Sequence, residues 1–145
     1  MRRTPGRTQS LLIAALVVAV AGCGPTNEAE LKRRIQTLDA IAVESRILAD
    51  GVTADRTKAT FARVHSRTLA EAATHEAEKM ADAEVLPRLS REREQAVAIA
   101  QRLSDAIAVL QVYPGAENKA RDAGDELRKL AGEAQRLDQS IPEKP

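Results

Sequence analysis

One cysteine, no tryptophan and two aromatic side chains, Phe61 and Tyr113, set this 145-residue sequence apart by what it lacks. A lone cysteine closes no intramolecular disulfide, so an exported domain of this size must be held by packing alone. A Cys-x-x-Cys-His signature is absent, which excludes covalent haem attachment. Ser45, Ser66, Ser90 and Ser104 have no nucleophile-elbow context, and no glycine-rich phosphate loop occurs. With so few aromatics there is no stacking platform for single-stranded nucleic acid. The formal charge is +1, so the global basic excess of a duplex-binding domain is missing too. These absences lead us to expect no enzyme, no resident cofactor and no nucleic-acid partner.

What is present is uneven along the chain. Residues 1–10, MRRTPGRTQS, carry three arginines and no acid; residues 11–21, LLIAALVVAVA, are wholly apolar. A charged stretch followed by a short apolar run is the pattern of a secretory signal. As a helix that run, with Gly22, reaches about 18 Å, short of the ~30 Å hydrocarbon core, so it is not read as a spanning helix. Without the three leader arginines, 19 basic residues face 21 acidic ones, and the balance turns to −2.

Val20-Ala21-Gly22-Cys23 closes the apolar run. This box, preceded by a charged and then an apolar segment, resembles the lipobox of bacterial lipoproteins. The resemblance covers residues 1–24 only. It implies cleavage before Cys23, a diacylglyceryl group on its thiol, a further acyl chain such as palmitate on its new amino group, and hence residues 1–22 as leader. Gly24 stands where an aspartate would retain such proteins at the inner membrane, so the resemblance implies the outer membrane, with the domain facing the periplasm. Residues 23–27 are then a short acylated tether, and several acyl chains hold a protein on a bilayer far more firmly than one.

The rest reads as helix. Asn27 followed by Glu30 suggests a reciprocal N-terminal cap. Leu31, Ile35, Leu38, Ile41, Ala42, Ser45 and Leu48 then share one face, and Asp50-Gly51 reads as a turn, predicting a helix over 28–50. A second helix is expected over 54–86, with a drifting alanine-rich stripe of Phe61, Val64, Thr68, Ala72 and His75, joined by Leu69, Met80, Ala83 and Leu86. Pro87 interrupts it as a kink or as the first turn of a new helix. Leu89, Ala96, Leu103 and Leu110 repeat at seven over 88–112, with Ala100 and Ile107 between. After Tyr113-Pro114-Gly115, two more such series, Ala116, Ala123, Leu130, Leu137 and Ala120, Leu127, Ala134, Ile141, fill 116–140 and the residue beyond. We expect an all-α domain over 28–141, an antiparallel up-down bundle of four helices. The alternative is an elongated coiled coil running through Pro87 and covered by dimerisation.

Two clusters carry candidate chemistry. His65, Glu71, His75 and Glu78 lie on one predicted helix and could gather about a metal. The plainer reading puts His75 in a helix seam and His65 near the basic surface, with no metal. Arg56, Lys58, Arg63 and Arg67 form a run without acids, and Arg56, Arg63 and Arg67 share one side at spacings of seven and four. Placed at a helix N-terminus they oppose the helix dipole. They are either a solvated face with ion pairs to other helices, or a docking patch for an acidic protein or anionic headgroups. Together these features lead us to expect a non-catalytic envelope lipoprotein, a helical interaction or assembly accessory module anchored through Cys23. A structural, oligomerising lipoprotein is the alternative.

Overall fold

The computed structural model describes residues 25–142. The leader and Cys23 lie outside the described residues. Four α-helices make up the domain: α1 (Glu28–Thr53), α2 (Ala59–Asp82), α3 (Ser90–Val112) and α4 (Glu117–Ser140). They run up and down in an antiparallel bundle, α1 packing chiefly on α4 and α2 on α3, while α3 against α4 closes the group. No helix among the described residues is long and apolar enough to cross a membrane.

The core follows the sequence periodicities in three of the four helices. Leu31, Ile35, Leu38, Ile41, Ala42, Ser45 and Leu48 of α1 are all buried. So are Ala96, Ala100, Leu103, Ile107 and Leu110 of α3, and Ala120, Ala123, Leu127, Leu130, Ala134 and Leu137 of α4. Alanine at a third of these positions lets the helices approach closely, at the cost of less apolar area buried per turn. Gly124 extends this logic: a Cβ there would stand 3.4 Å from the Cβ of Ala49, so α1 and α4 touch almost backbone to backbone.

The second helix departs from expectation. It begins five residues later and ends four earlier than the predicted 54–86, and its buried side is Ala62, Ser66, Leu69, Ala70, Ala73, Ala77 and Met80. The expected stripe of Phe61, Val64, Thr68 and His75 faces solvent, and Ala72 is half-buried. Small residues win the seam because they admit α3 closely, which leaves the bulkier Phe61 and Val64 outside. Pro87 makes no kink in a continuous helix but takes the other expected place, in the first turn of a new helical stretch. The chain is extended after Asp82, makes a single 3-10 turn over Pro87–Leu89, and folds α3 back along α2. An elongated rod through Pro87 is thereby excluded.

Gly51 does not end the first helix. The backbone continues to Thr53 and closes in a Schellman motif, with Asp55 N–H donating to the Val52 carbonyl at 3.1 Å and Arg56 N–H to Gly51 at 2.8 Å. The left-handed residue is Asp55, at φ 51°. Gly51 serves a different purpose: a Cβ there would collide with Thr57 Oγ1, so glycine lets the loop fold back onto the helix.

Asn27 caps α1 as expected, its Oδ1 accepting from Glu30 N–H at 3.0 Å. The reciprocal half of the cap is absent, because the Glu30 carboxylate accepts from Arg34 at 3.0 Å instead. Thr26 is 8% exposed and its N–H donates to the Glu84 carbonyl at 2.7 Å, forming a short parallel bridge with Val85. The bundle therefore grips the chain from Thr26 onward, within the stretch read as tether.

Candidate functional site

The antiparallel order gives the domain two unlike ends. The end bearing Thr26 also holds the α2–α3 connection and the close of α4. The far end gathers the loop 54–58, the first turns of α2 and the turn from Tyr113 to Ala116. Those last two segments adjoin: a Cβ on Gly115 would lie 3.9 Å from that of Ala59. The Tyr113 turn is itself fixed by its N–H donating to Val109 at 2.9 Å and by Ala116 N–H donating back to Tyr113 at 3.1 Å.

All four cations singled out in the sequence sit at this far end, and all are exposed. Arg56 lies in the loop before α2 and Lys58 is the N-cap residue, so the expected stripe of Arg56, Arg63 and Arg67 is broken. Only Arg63 and Arg67 share a helical face. Among the described residues none of the four makes an ion pair, so the expected tertiary salt bridges do not form at this patch. Elsewhere among the described residues some arginines are unpaired too, Arg46, Arg91, Arg121 and Arg136 among them, while others are held. Arg34 bridges Glu30 and Glu76, Arg88 meets Glu28, and Arg102 of α3 holds both Glu126 and Glu133 of α4 at 2.7 Å. The Arg102 guanidinium holds the Glu126 carboxyl below the ordinary carboxylate range, chiefly through that hydrogen bond. Reciprocally, hydrogen bonds to Glu126 and then Glu133 raise Arg102.

Beside the cations lies exposed apolar surface. Ile47, Phe61, Val64, Val112 and Tyr113 are the large hydrophobic residues left exposed among the described residues, at 49–64%, and every one falls in the far half of the bundle. Both aromatic side chains of the protein are among them. The sequence reading placed Phe61 and Val64 in the core and missed this surface. The signal that would have found it is the competing series Ala62, Ser66, Leu69, Ala73, Ala77, Met80, which keeps the same three-to-four spacing and carries it on to Met80 once alanine and serine are counted as seam residues.

The histidine cluster does not assemble. His65 turns toward α1, its Nε2 lying 2.9 Å from Glu44 Oε1 while its ring stacks on Phe61 at 5.2 Å. His75 is exposed rather than held in a seam, and lines a shallow groove between α2 and α3 with Arg67, Glu71, Glu78 and Ser104. Among the described residues no group of three or more His, Cys, Asp or Glu side chains is placed to hold a metal ion. A second open groove, of about 450 Å³ between α3 and α4, has Ala106, Val109 and Ala123 at its base and Tyr113 at one side, where the Lys119 ammonium lies 5.8 Å from the ring.

Comparison with protein families, with curated proteins and with solved structures found no match. The functional reading therefore rests on the residues and on their placement.

Proposed function

We propose that this chain is a lipoprotein of the bacterial cell envelope, acylated at Cys23, whose helical bundle is a non-catalytic module that binds another envelope protein. On this reading it sits at the outer membrane and works as an assembly accessory. The single observation that supports it most is the docking of Thr26 onto the α2–α3 connection. Fully extended, residues 23–26 span at most about 10 Å. A bundle gripped this close to its acyl chains has little freedom to wander, and its near end is held against the headgroups. The far end then stands off by the length of α1, whose 26 residues rise about 39 Å. Anchoring of this kind acts through effective concentration: a partner in the same envelope meets the module at a fixed height and at high local abundance.

Metabolic labelling with a fatty-acid analogue, followed by membrane fractionation, tests the anchor. Wild-type protein should carry label and sediment with outer membranes, and Cys23→Ser should lose both. Label persisting in Cys23→Ser would overturn the reading.

A further inference from the structure

We propose that the end of the bundle remote from Thr26 is a docking surface for an acidic amphipathic helix of a partner protein. Phe61 and Val64 would receive its apolar face, while Arg56, Lys58, Arg63 and Arg67 would pair with its carboxylates. The proposal rests on the reading of the chain as a lipid-anchored binding module and names the chemistry of what it binds.

Three observations converge on this surface. First, Phe61, Val64 and Thr68 follow helical spacing on the outward face of α2, so that part of the helix has an apolar stripe with no neighbour in the fold. Exposed aromatics with arginine beside them are the composition of interface cores rather than of ordinary surface. Second, the flanking cations make no ion pair among the described residues, although Glu71 lines the same groove as Arg67. Arg63 and Arg67 run along the α3 side of the stripe, Lys58 begins the helix, and Arg56 stands in the loop before it. Third, this arrangement works against the domain's own stability. Positive charge at the positive end of the α2 dipole is unfavourable, the first turn of α2 has no acid, and the cap residue makes no side-chain bond. A surface shaped only for folding would carry acids there; one shaped for an acidic partner carries what is found.

The class of occupant follows from shape and position. The stripe is the convex side of a helix, whereas small-molecule sites are concave, so the partner is a macromolecule. Two copies brought together through this face would set arginine against arginine, which argues against self-association. Headgroups of the anchoring membrane lie at the other end, a helix length away. An acidic helix with apolar residues at three-to-four spacing meets the charge and the stripe together.

The test uses the full chain in living cells, with a photoreactive residue at position 61 or 64 and, as control, at position 139 near the opposite end. Positions 61 and 64 should capture one discrete protein, and the crosslinked peptide should be rich in Asp and Glu with apolar residues at helical spacing. Arg63→Glu with Arg67→Glu should cut the yield about tenfold, and lysine at both positions should preserve it, because the attraction depends on charge. Lipid adducts at 61 and 64, capture of a peptide without acidic residues, equal capture from position 139, indifference to charge reversal or no adduct would each overturn the docking surface. Fatty-acid labelling of the same cells keeps the two claims apart. Labelled protein without a charge-sensitive adduct sinks the docking surface alone, and unlabelled protein sinks the anchor whatever is captured.

Discussion

The two ends of the bundle are built on different terms. At the Thr26 end side chains tie the turns together. Asn27 caps α1, Arg88 in the turn before α3 donates to Glu28 at the start of α1, Arg34 joins Glu30 to Glu76 of α2, and Arg93 donates to the Ala83 carbonyl at 3.2 Å. Leu31, Ile35, Met80, Leu89 and Ile141 fill the interior there, each 3% exposed or less. At the far end Leu48, Val52, Ile107 and Leu110 are likewise buried, with Ala49, Ala62, Ala120, Ala123 and Gly124 bringing the helices close. But here Ile47, Phe61, Val64, Val112 and Tyr113 also lie exposed, and Arg56, Lys58, Arg63 and Arg67 make no ion pair among the described residues. The buried core runs the length of the bundle, whereas the large exposed apolar residues are confined to one half of it.

The largest expected effect breaks that contrast directly. Leu31→Ala, at a residue 1% exposed, should cost about 3 kcal/mol. Phe61→Ala removes a larger side chain that is 57% exposed, and should change stability by less than about 0.5 kcal/mol. Urea denaturation of the two variants side by side decides it, and comparable losses would mean that Phe61 belongs to the core after all.

Next comes Gly51→Ala, which should destabilise by about 1–3 kcal/mol because the new methyl group meets Thr57. Adding Thr57→Ala should recover most of that loss. If it does not, the loop 54–58 is held by something other than its fit on Gly51.

Two smaller changes sharpen the comparison by stabilising the far end. Asp55→Gly should raise stability by about 1 kcal/mol, since glycine adopts the left-handed conformation without the penalty that aspartate bears. Lys58→Asp should raise stability by about 0.5 kcal/mol at low salt, as an acid replaces a cation at the N-cap of α2, where the helix dipole and an unfilled cap both favour it. A clear drop in stability for that variant would show that Lys58 supports the fold.

How far the sequence could carry this is seen best by setting α2 beside α3. In α3 the largest apolar residues, Leu103, Ile107 and Leu110, are also the buried ones, so periodicity and burial point the same way. In α2 they part company. The eye follows Phe61 and Val64, while close packing selects Ala62, Ser66, Ala70, Ala73 and Ala77. Hydrophobic size is a poor guide wherever a seam is narrow, because there the contact distance and not the side-chain area decides which face turns in. The same reason hid the far-end surface: the cations were legible as a run, but that their apolar neighbours face outward follows only when the small-residue series from Ala62 to Met80 is taken as the seam. Gly51 shows a subtler limit. Sequence patterning marks it as the end of the first helix, which it is not, and its use as a gap for Thr57 depends on a loop that returns six residues later. Cys23 and its box are a matter of sequence alone, outside the described residues.

The pairing of the first helix with the last has a consequence in time. α2 and α3 are neighbours in sequence and can close on each other early, as low-separation contacts generally do. α1 has its main partner in α4, the last of the four helices in chain order, and Lys32 Nζ reaches the Ile141 carbonyl only once that helix is in place, 109 residues away. Until then Leu31, Ile35 and Leu38 stay wet. The helix nearest Cys23 in sequence is thus the last to be covered, and pulsed amide exchange during refolding should find α2 and α3 protected before α1; simultaneous protection of all four would refute that order. A bundle that closes by joining its first helix to its fourth keeps an adhesive stripe uncovered until the fourth arrives, which makes that helix the step that commits the fold.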